Sequence, residues 1–265
     1  MIRPILLILC LAAAAPAAMR MLVTVVEQKT GRAIENLKAE DFLVLEDKLP
    51  RRVEAAEFSR KPIDVMLLVD TSLLGGMVQP VASKLIAALN EKEQMAVVSF
   101  DSSAEMIQDF TSSHQLLEAS LSKVRYGNSP KVLDGLFAAM DGGFDHSTFR
   151  RVILLVTAGI EGPSRLHERE IIRLARKNGV SIYPVYAAGS DRSLFETLAR
   201  GTGGASFQLR DLERSASGAS LATRIYDVVR GNYTLTITGN LGLGEKVKVE
   251  IKGQPKLKVS ALPLD

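Results

Sequence analysis

Tryptophan is absent from the 265 residues, and aromatic residues together make up 5%. That scarcity argues against a platform on which bases or sugars stack. Cysteine occurs once, as Cys10, so no disulfide can form within the chain. A chain of this length buries enough core to manage without one. An excess of one charge sign is also lacking: 33 basic against 30 acidic residues give a net +3. That is too little to argue for nucleic acid, and no basic stripe interleaves with aromatics. There is no Gly-x-Ser-x-Gly elbow, no Walker loop and no Gly-x-Gly-x-x-Gly after a strand. Gly201-Thr202-Gly203-Gly204 precedes a predicted strand instead of opening a helix, which makes it a tight turn. The three histidines, His114, His146 and His167, are widely spaced and read as surface residues. His167-Glu168-Arg169-Glu170-Ile171 lacks the second histidine of a zinc-protease helix.

What is present is ordinary globular protein, 46% apolar and 24% charged, in an amount that suits one medium domain with appendages or two small ones. The amino terminus stands apart. Arg3 supplies a positive charge, residues 4–15 are apolar, and Ala15-Pro16-Ala17-Ala18 offers small residues. This is the layout of a secretory signal, with cleavage expected near Ala17 or Ala18. The apolar run is short for a membrane span of about 20 residues. An uncleaved anchor is the second reading. Lipid attachment at Cys10 is the runner-up, with Leu9 before it where lipoprotein signals have a small residue. The expectation is an exported chain, periplasmic or extracellular, with no stable membrane insertion once the signal is removed.

The centre of the chain is Ile63-Asp64-Val65-Met66-Leu67-Leu68-Val69-Asp70-Thr71-Ser72. A continuous apolar run with no helical gap reads as a strand buried on both faces. Ligand sites of such sheets lie beyond the carboxyl ends of the strands, where Asp70 and Ser72 would sit. Before it, residues 21–26, 42–46 and 52–58 predict three short strands, with turns at 28–32 and 47–50. After it, strands at 95–100, 104–110, 151–157, 180–187 and 205–209 alternate with helices at 77–89, 113–124, 131–140, 166–178, 193–200 and 212–229. The strand at 104–110 is expected to be an antiparallel edge. The alternation implies a mostly parallel sheet with helices on both faces. Strands at 233–238, 245–251 and 256–262 close the chain and are expected to join the first three in a small β domain. The expected organisation is a signal at 1–18, a β module at 19–60, an α/β domain at 61–231 and β strands at 232–265.

With Asp70-Thr71-Ser72 ending the first core strand, the chain resembles the von Willebrand factor type A family, and within it a secreted bacterial subgroup of acidobacterial type. Leu22-Val23-Thr24-Val25-Val26, Thr30-Gly31-Arg32, Leu37-Lys38-Ala39-Glu40-Asp41-Phe42 and Glu46-Asp47 resemble the amino-terminal module of that subgroup. Val97-Val98-Ser99-Phe100-Asp101 with Asp109-Phe110-Thr111, Val132-Leu133-Asp134-Gly135-Leu136, and Val247-Lys248-Val249 resemble its later elements. The likeness implies a doubly wound six-stranded sheet. It also implies a metal-ion-dependent adhesion site, built from Asp-x-Ser-x-Ser on one loop, Thr on a second and Asp on a third. Asp70 and Ser72 match that set. Leu74 stands at the second serine, Pro130 at the threonine with Ser129 beside it, and Ala158 at the final aspartate. Three of the five positions thus lack a suitable oxygen, and Mg²⁺, which dehydrates reluctantly, is poorly served by one carboxylate and one hydroxyl. Asp101 and Ser129 are the auxiliary oxygens within reach of the pattern.

The function expected is a non-catalytic exported module that binds another protein through the loops at the carboxyl end of the sheet. Its adhesion site is degenerate and no cofactor is expected, Mg²⁺ remaining the one candidate. The alternatives are a hydrolase using Asp70 and Ser72, with His146 as base, and metal-dependent adhesion through a rebuilt ligand shell. A third, plainer reading is a scaffold or periplasmic structural protein whose partner docks on the β domain.

Overall fold

A computed structural model describes residues 18–28, 30–214, 219–239 and 247–264. The signal expected at 1–18 therefore lies outside the described residues up to residue 17. Strands β1 (Ala18–Glu27), β2 (Phe42–Glu46), β3 (Leu49–Arg51) and β4 (Val53–Arg60) come first, followed by the central strand β5 (Ile63–Asp70). The chain continues through α1 (Gln79–Ala87), β6 (Gln94–Phe100), β7 (Ala104–Thr111), α2 (His114–Leu121), α3 (Val132–Met140) and β8 (Arg150–Thr157). Then come α4 (Glu168–Lys177), β9 (Val180–Tyr186), α5 (Arg192–Gly201), β10 (Phe207–Gln208), α6 (Leu209–Arg214) and α7 (Leu221–Arg230). The last strands are β11 (Gly231–Thr238), β12 (Val247–Ile251) and β13 (Leu257–Leu264).

The main sheet has six strands in the order β10-β9-β8-β5-β6-β7. All neighbours are parallel except β7, which folds back on β6 as the antiparallel edge. The period of two in β5 divides the core. Ile63, Val65, Leu67 and Val69 pack toward α1, α2 and α7, while Met66 and Leu68 pack toward α3, α4 and α5. Every residue of β5 is buried, as a central strand covered on both faces requires. The sheet is doubly wound, and the order changes direction between β5 and β8.

The outer strands form two antiparallel sheets, β13-β1-β11-β4 and β12-β2-β3, which share a separate core around Met21, Phe42, Val44, Tyr233 and Leu235. The first and last strands of the chain thus pair, as the sequence predicts. The two parts are tied by short connections. Only Lys61-Pro62 separates β4 from β5, and α7 runs straight into β11. Gly231 sits at that junction because a Cβ there would lie 2.8 Å from the Asp227 carbonyl oxygen.

Two expectations are corrected. The helix predicted over 212–229 is two helices, because Ser220 takes an extended conformation and its hydroxyl accepts from Thr223 N–H, starting α7 anew. The turn predicted over 47–50 is confined to Asp47-Lys48, both at positive φ, and Leu49 and Pro50 belong to β3. A two-residue hairpin turn with both central φ positive matches the right-handed strand twist.

Candidate functional site at the carboxyl end of the central strands

Asp70 ends β5 at the switch in strand order and is fully buried. Its Oδ2 accepts from the Thr157 hydroxyl at 2.8 Å and from Ala158 N–H at 2.9 Å, both at the end of the neighbouring strand β8. Its Oδ1 accepts from Ser72 N–H at 2.9 Å. An aspartate accepting from the backbone two residues on closes a tight turn, and that turn carries the chain into the loop 71–78. Gly75 is demanded there: a Cβ would lie 2.1 Å from the Asp70 carbonyl oxygen. Thr157, which the sequence pattern passes over, thus contributes one of the three donors to Asp70.

The surrounding loops are locked to one another. Thr71 N–H donates to Phe100 O, Gly127 N–H to Thr71 O, Leu73 N–H to Asn128 O, and Lys131 N–H to Asp101 O. Asp101 accepts from Asn128 Nδ2 at 2.8 Å and from Ser103 N–H at 3.1 Å. Burial pushes the Asp101 carboxyl up, but the hydrogen bonds from Asn128, Ser103 and Ser102 outweigh it and hold it below the ordinary aspartate value. Asp101 therefore anchors the loop 126–130. Pro130, at the position of the family threonine, accepts from Gly162 N–H through its carbonyl. Ser129 is exposed on the same loop.

These residues do not fit a divalent cation. Both oxygens of Asp70 already face N–H or O–H donors, whose positive ends would oppose a cation. Leu74 brings no oxygen, and Ala158 turns a backbone N–H toward Asp70 where the family pattern has a carboxylate. Among the described residues no cluster of three or more His, Cys, Asp or Glu has metal-binding geometry. The triad of Ser72, His146 and Asp70 is not assembled either. His146 precedes the amino end of β8, which pairs with Ile63 at the opposite end of β5, so the strand's length, roughly 23 Å, intervenes.

Apolar side chains stand on the loops above Asp70. Leu73 is 78% exposed, Leu74 53% and Met77 59%. Tyr126, also exposed, belongs to the adjoining loop. Burial pushes its phenol up from the ordinary value, and the negative charge of Asp70 adds to the shift.

Glu161, which the sequence analysis did not single out, caps α3 from the loop after β8. Its Oε2 accepts from Val132 N–H at 2.8 Å, and its Oε1 is buried without a partner among the described residues. Burial pushes this carboxyl above the ordinary glutamate value and the charge of Asp134 adds to it; hydrogen bonds from Ser164 and from Val132 and Leu133 N–H oppose the shift without cancelling it. A folded-state pKa above the unfolded one gives stability that is fully present below the unfolded pKa and is lost as pH rises through the folded value. Glu161→Gln is therefore expected to hold its melting temperature better than the native chain as pH rises from about 4.5 to neutrality. Parallel melting curves for the two proteins over that range would contradict this.

No protein-family model and no curated protein matches the chain. Among solved structures, proximal thread matrix protein 1 from the mussel byssus is similar in fold. One of its structures gives a TM-score of 0.57 at 16% identity, covering 70% of this chain and 51% of that one. A second, described as having a zinc-occupied MIDAS motif, gives 0.56 at 16% identity over 70% and 50%. The chain thus spans about half the length of the mussel protein. The SpRpn10 VWA domain is a more distant match, with a TM-score of 0.43 at 16% identity over 55% of this chain and 86% of that one. At such identities the likeness is one of fold, and the fold of this chain is von Willebrand factor type A-like.

Proposed function

We propose that this chain is an exported, non-catalytic interaction module that binds another protein through the loops at the carboxyl end of its main sheet, without a bridging metal ion. The observation that carries this reading is the exchange of chemistry at one place. The Asp70 carboxylate is taken up by Ser72, Thr157 and Ala158, while Leu73, Leu74 and Met77 stand exposed on the loop beside it. Apolar side chains on a preorganised loop suit a partner that buries its own apolar surface there, since little ordering entropy remains to be lost. Turnover would need a base within reach of Ser72, and His146 lies at the other end of the strand.

Metal independence is tested by titrating Mg²⁺ and Mn²⁺ into the stripped native chain and into an Ala158→Asp, Leu74→Ser double variant. Heat is expected from the variant alone; micromolar binding by the native chain would restore metal-bridged adhesion as the mechanism. The docking face is tested by capturing partners from the native envelope with chelator present. Capture is expected to survive the chelator and to be lost in Leu73→Ser, Leu74→Ser, Met77→Ser, whose exposed substitutions shift stability by only about 0.5 kcal/mol each. Capture that needs a divalent cation and ignores those three substitutions would sink the proposal.

A further inference from the structure

A second feature lies away from the loops just described. Helix α4, along its length, and the carboxyl-terminal half of α5 meet the outermost strands of the two antiparallel sheets, β12 and β13, across a groove of about 980 Å³. That volume is at the upper end for a small-molecule site and leaves room for a short stretch of chain. Six cations line it: Arg169, Arg173, Arg176 and Lys177 from α4, Arg200 from α5 and Lys248 from β12. Among the described residues that line it there is no carboxylate and no aromatic ring.

Solvated cations on a helix face are the ordinary explanation for such a run, and cations in the last turn of a helix also offset its dipole. The dipole accounts for Arg176, Lys177 and Arg200. It leaves Arg169, Arg173 and Lys248, which come from a first turn, a middle turn and a strand. The i, i+4 spacing of Arg169 and Arg173 places them on one face, and neither they, Lys177 nor Arg200 forms an ion pair among the described residues. Two acids nearby are engaged. Glu250 pairs with Lys248, and Glu196 pairs with Arg192 and Lys258. A chain with a net charge of only +3 has thus placed six of its 33 cations around one concavity.

The floor between them is aliphatic, formed by Ile172, Val249, Val259 and Ala261. Like-charged rims over an aliphatic floor call for a ligand with carboxylates on its edges and alkyl groups beneath. Stacking surfaces for bases are missing. Because β12 and β13 are each the outermost strand of their sheets, an extended segment can also meet a strand edge there. We propose that this groove binds an extended acidic segment of a partner protein, with its carboxylates on Arg169, Arg173 and Arg200 and its aliphatic side chains on the floor. The site is separate from the apolar loops and does not depend on them.

The experiment uses the full chain and a fluorescein-labelled octapeptide alternating glutamate with valine, followed by anisotropy. Its lysine-for-glutamate counterpart, octaglutamate and a single-stranded oligonucleotide are the comparison probes. The glutamate–valine peptide is expected to bind best, to weaken with added salt, and to lose about tenfold or more in affinity with Arg169→Glu, Arg173→Glu. Both residues are exposed, and an unchanged melting temperature verifies that the variant folds. Arg173→Ala serves as a milder second variant and should lie between. The Leu73→Ser, Leu74→Ser, Met77→Ser protein should bind the peptide as the native chain does; loss there would move the site to the loops and overturn this proposal alone. Equal affinity in the charge-reversed variant, or preference for the oligonucleotide or octaglutamate, would also overturn it.

Discussion

Asp70→Ala should lower the stability of the chain by about 4 kcal/mol in urea denaturation at neutral pH, with an unchanged slope. The carboxylate accepts from Ser72 N–H, the Thr157 hydroxyl and Ala158 N–H, all in the interior. Alanine leaves three buried donors without an acceptor, each costing about 1–3 kcal/mol when unsatisfied. Domains of this kind have only about 5–15 kcal/mol to lose, so the variant should stand close to unfolding at body temperature. Asp70→Asn keeps the shape and one acceptor oxygen, and about half the loss is expected. Ser72→Ala serves as the contrast, because the group of Ser72 that meets Asp70 is its backbone N–H, which survives the change. A loss under about 1 kcal/mol in Asp70→Ala would mean that the carboxylate is not committed to these donors, and would reopen it as a ligand for a cation.

Glu93→Ala should be comparably damaging, by about 3–5 kcal/mol. Glu93 is 2% exposed and receives Arg230 through two bonds, Nε to Oε1 at 2.9 Å and Nη2 to Oε2 at 2.7 Å. Arg230 also stacks on the Tyr226 ring at 4.1 Å and donates to the Ala88 carbonyl at the end of α1. One guanidinium therefore ties α1, the entry to β6 and the last turn of α7. Removing the acid leaves a cation in the interior without its counter-charge. The double change Glu93→Leu, Arg230→Met should recover most of the loss, because apolar residues of similar size need no partner. By contrast, Arg60 with Glu35 and Asp227 is half in solvent, and Arg60→Ala should cost under about 1 kcal/mol. If Glu93→Ala and Arg60→Ala proved equal in equilibrium unfolding, the buried pair would have no special role.

The parallel sheet is legible because its strands must be apolar on both sides, and Ile63–Val69 and Val152–Val156 are unmistakable runs. Even there one residue misleads. Asp64 reads as an interruption of an apolar strand, yet it is buried, and its Oδ2 accepts from Thr148 and Phe149 N–H. Those donors lie 84 and 85 residues away in sequence, beyond any local pattern. The site shows the same division. The degenerate positions Leu74, Pro130 and Ala158 follow from alignment to Asp70 and Ser72 within the loop pattern. That Ala158 contributes through its backbone, and that Thr157 completes the shell, does not follow, because hydrogen bonds between neighbouring strands leave no period in the sequence. Glu161 has no signature for a similar reason: its partner is the first turn of α3, and a cap supplied by another segment has no spacing rule. The hairpin at Asp47-Lys48 lacks the Asn-Gly or Asp-Gly signature its backbone favours, so the sequence predicts a longer turn than the chain makes.

The pairing of β1 with β11 and β13 also sets an order of events. Met21 meets Leu235, and Val25 meets Val259, so the first strand made is left without either neighbour until nearly the whole chain has emerged. Closing a loop of that length carries an entropic cost that no early contact offsets. The α/β body, whose strands are joined by short local crossovers, can assemble while β1 waits, and the outer sheet then forms as the last act of folding. Until that moment the apolar side chains of β1 and the unpaired edge of β4 are open to other chains. Nascent molecules of this protein are therefore most prone to misassociate at β1, and truncation between α7 and β11 removes both of that strand's neighbours.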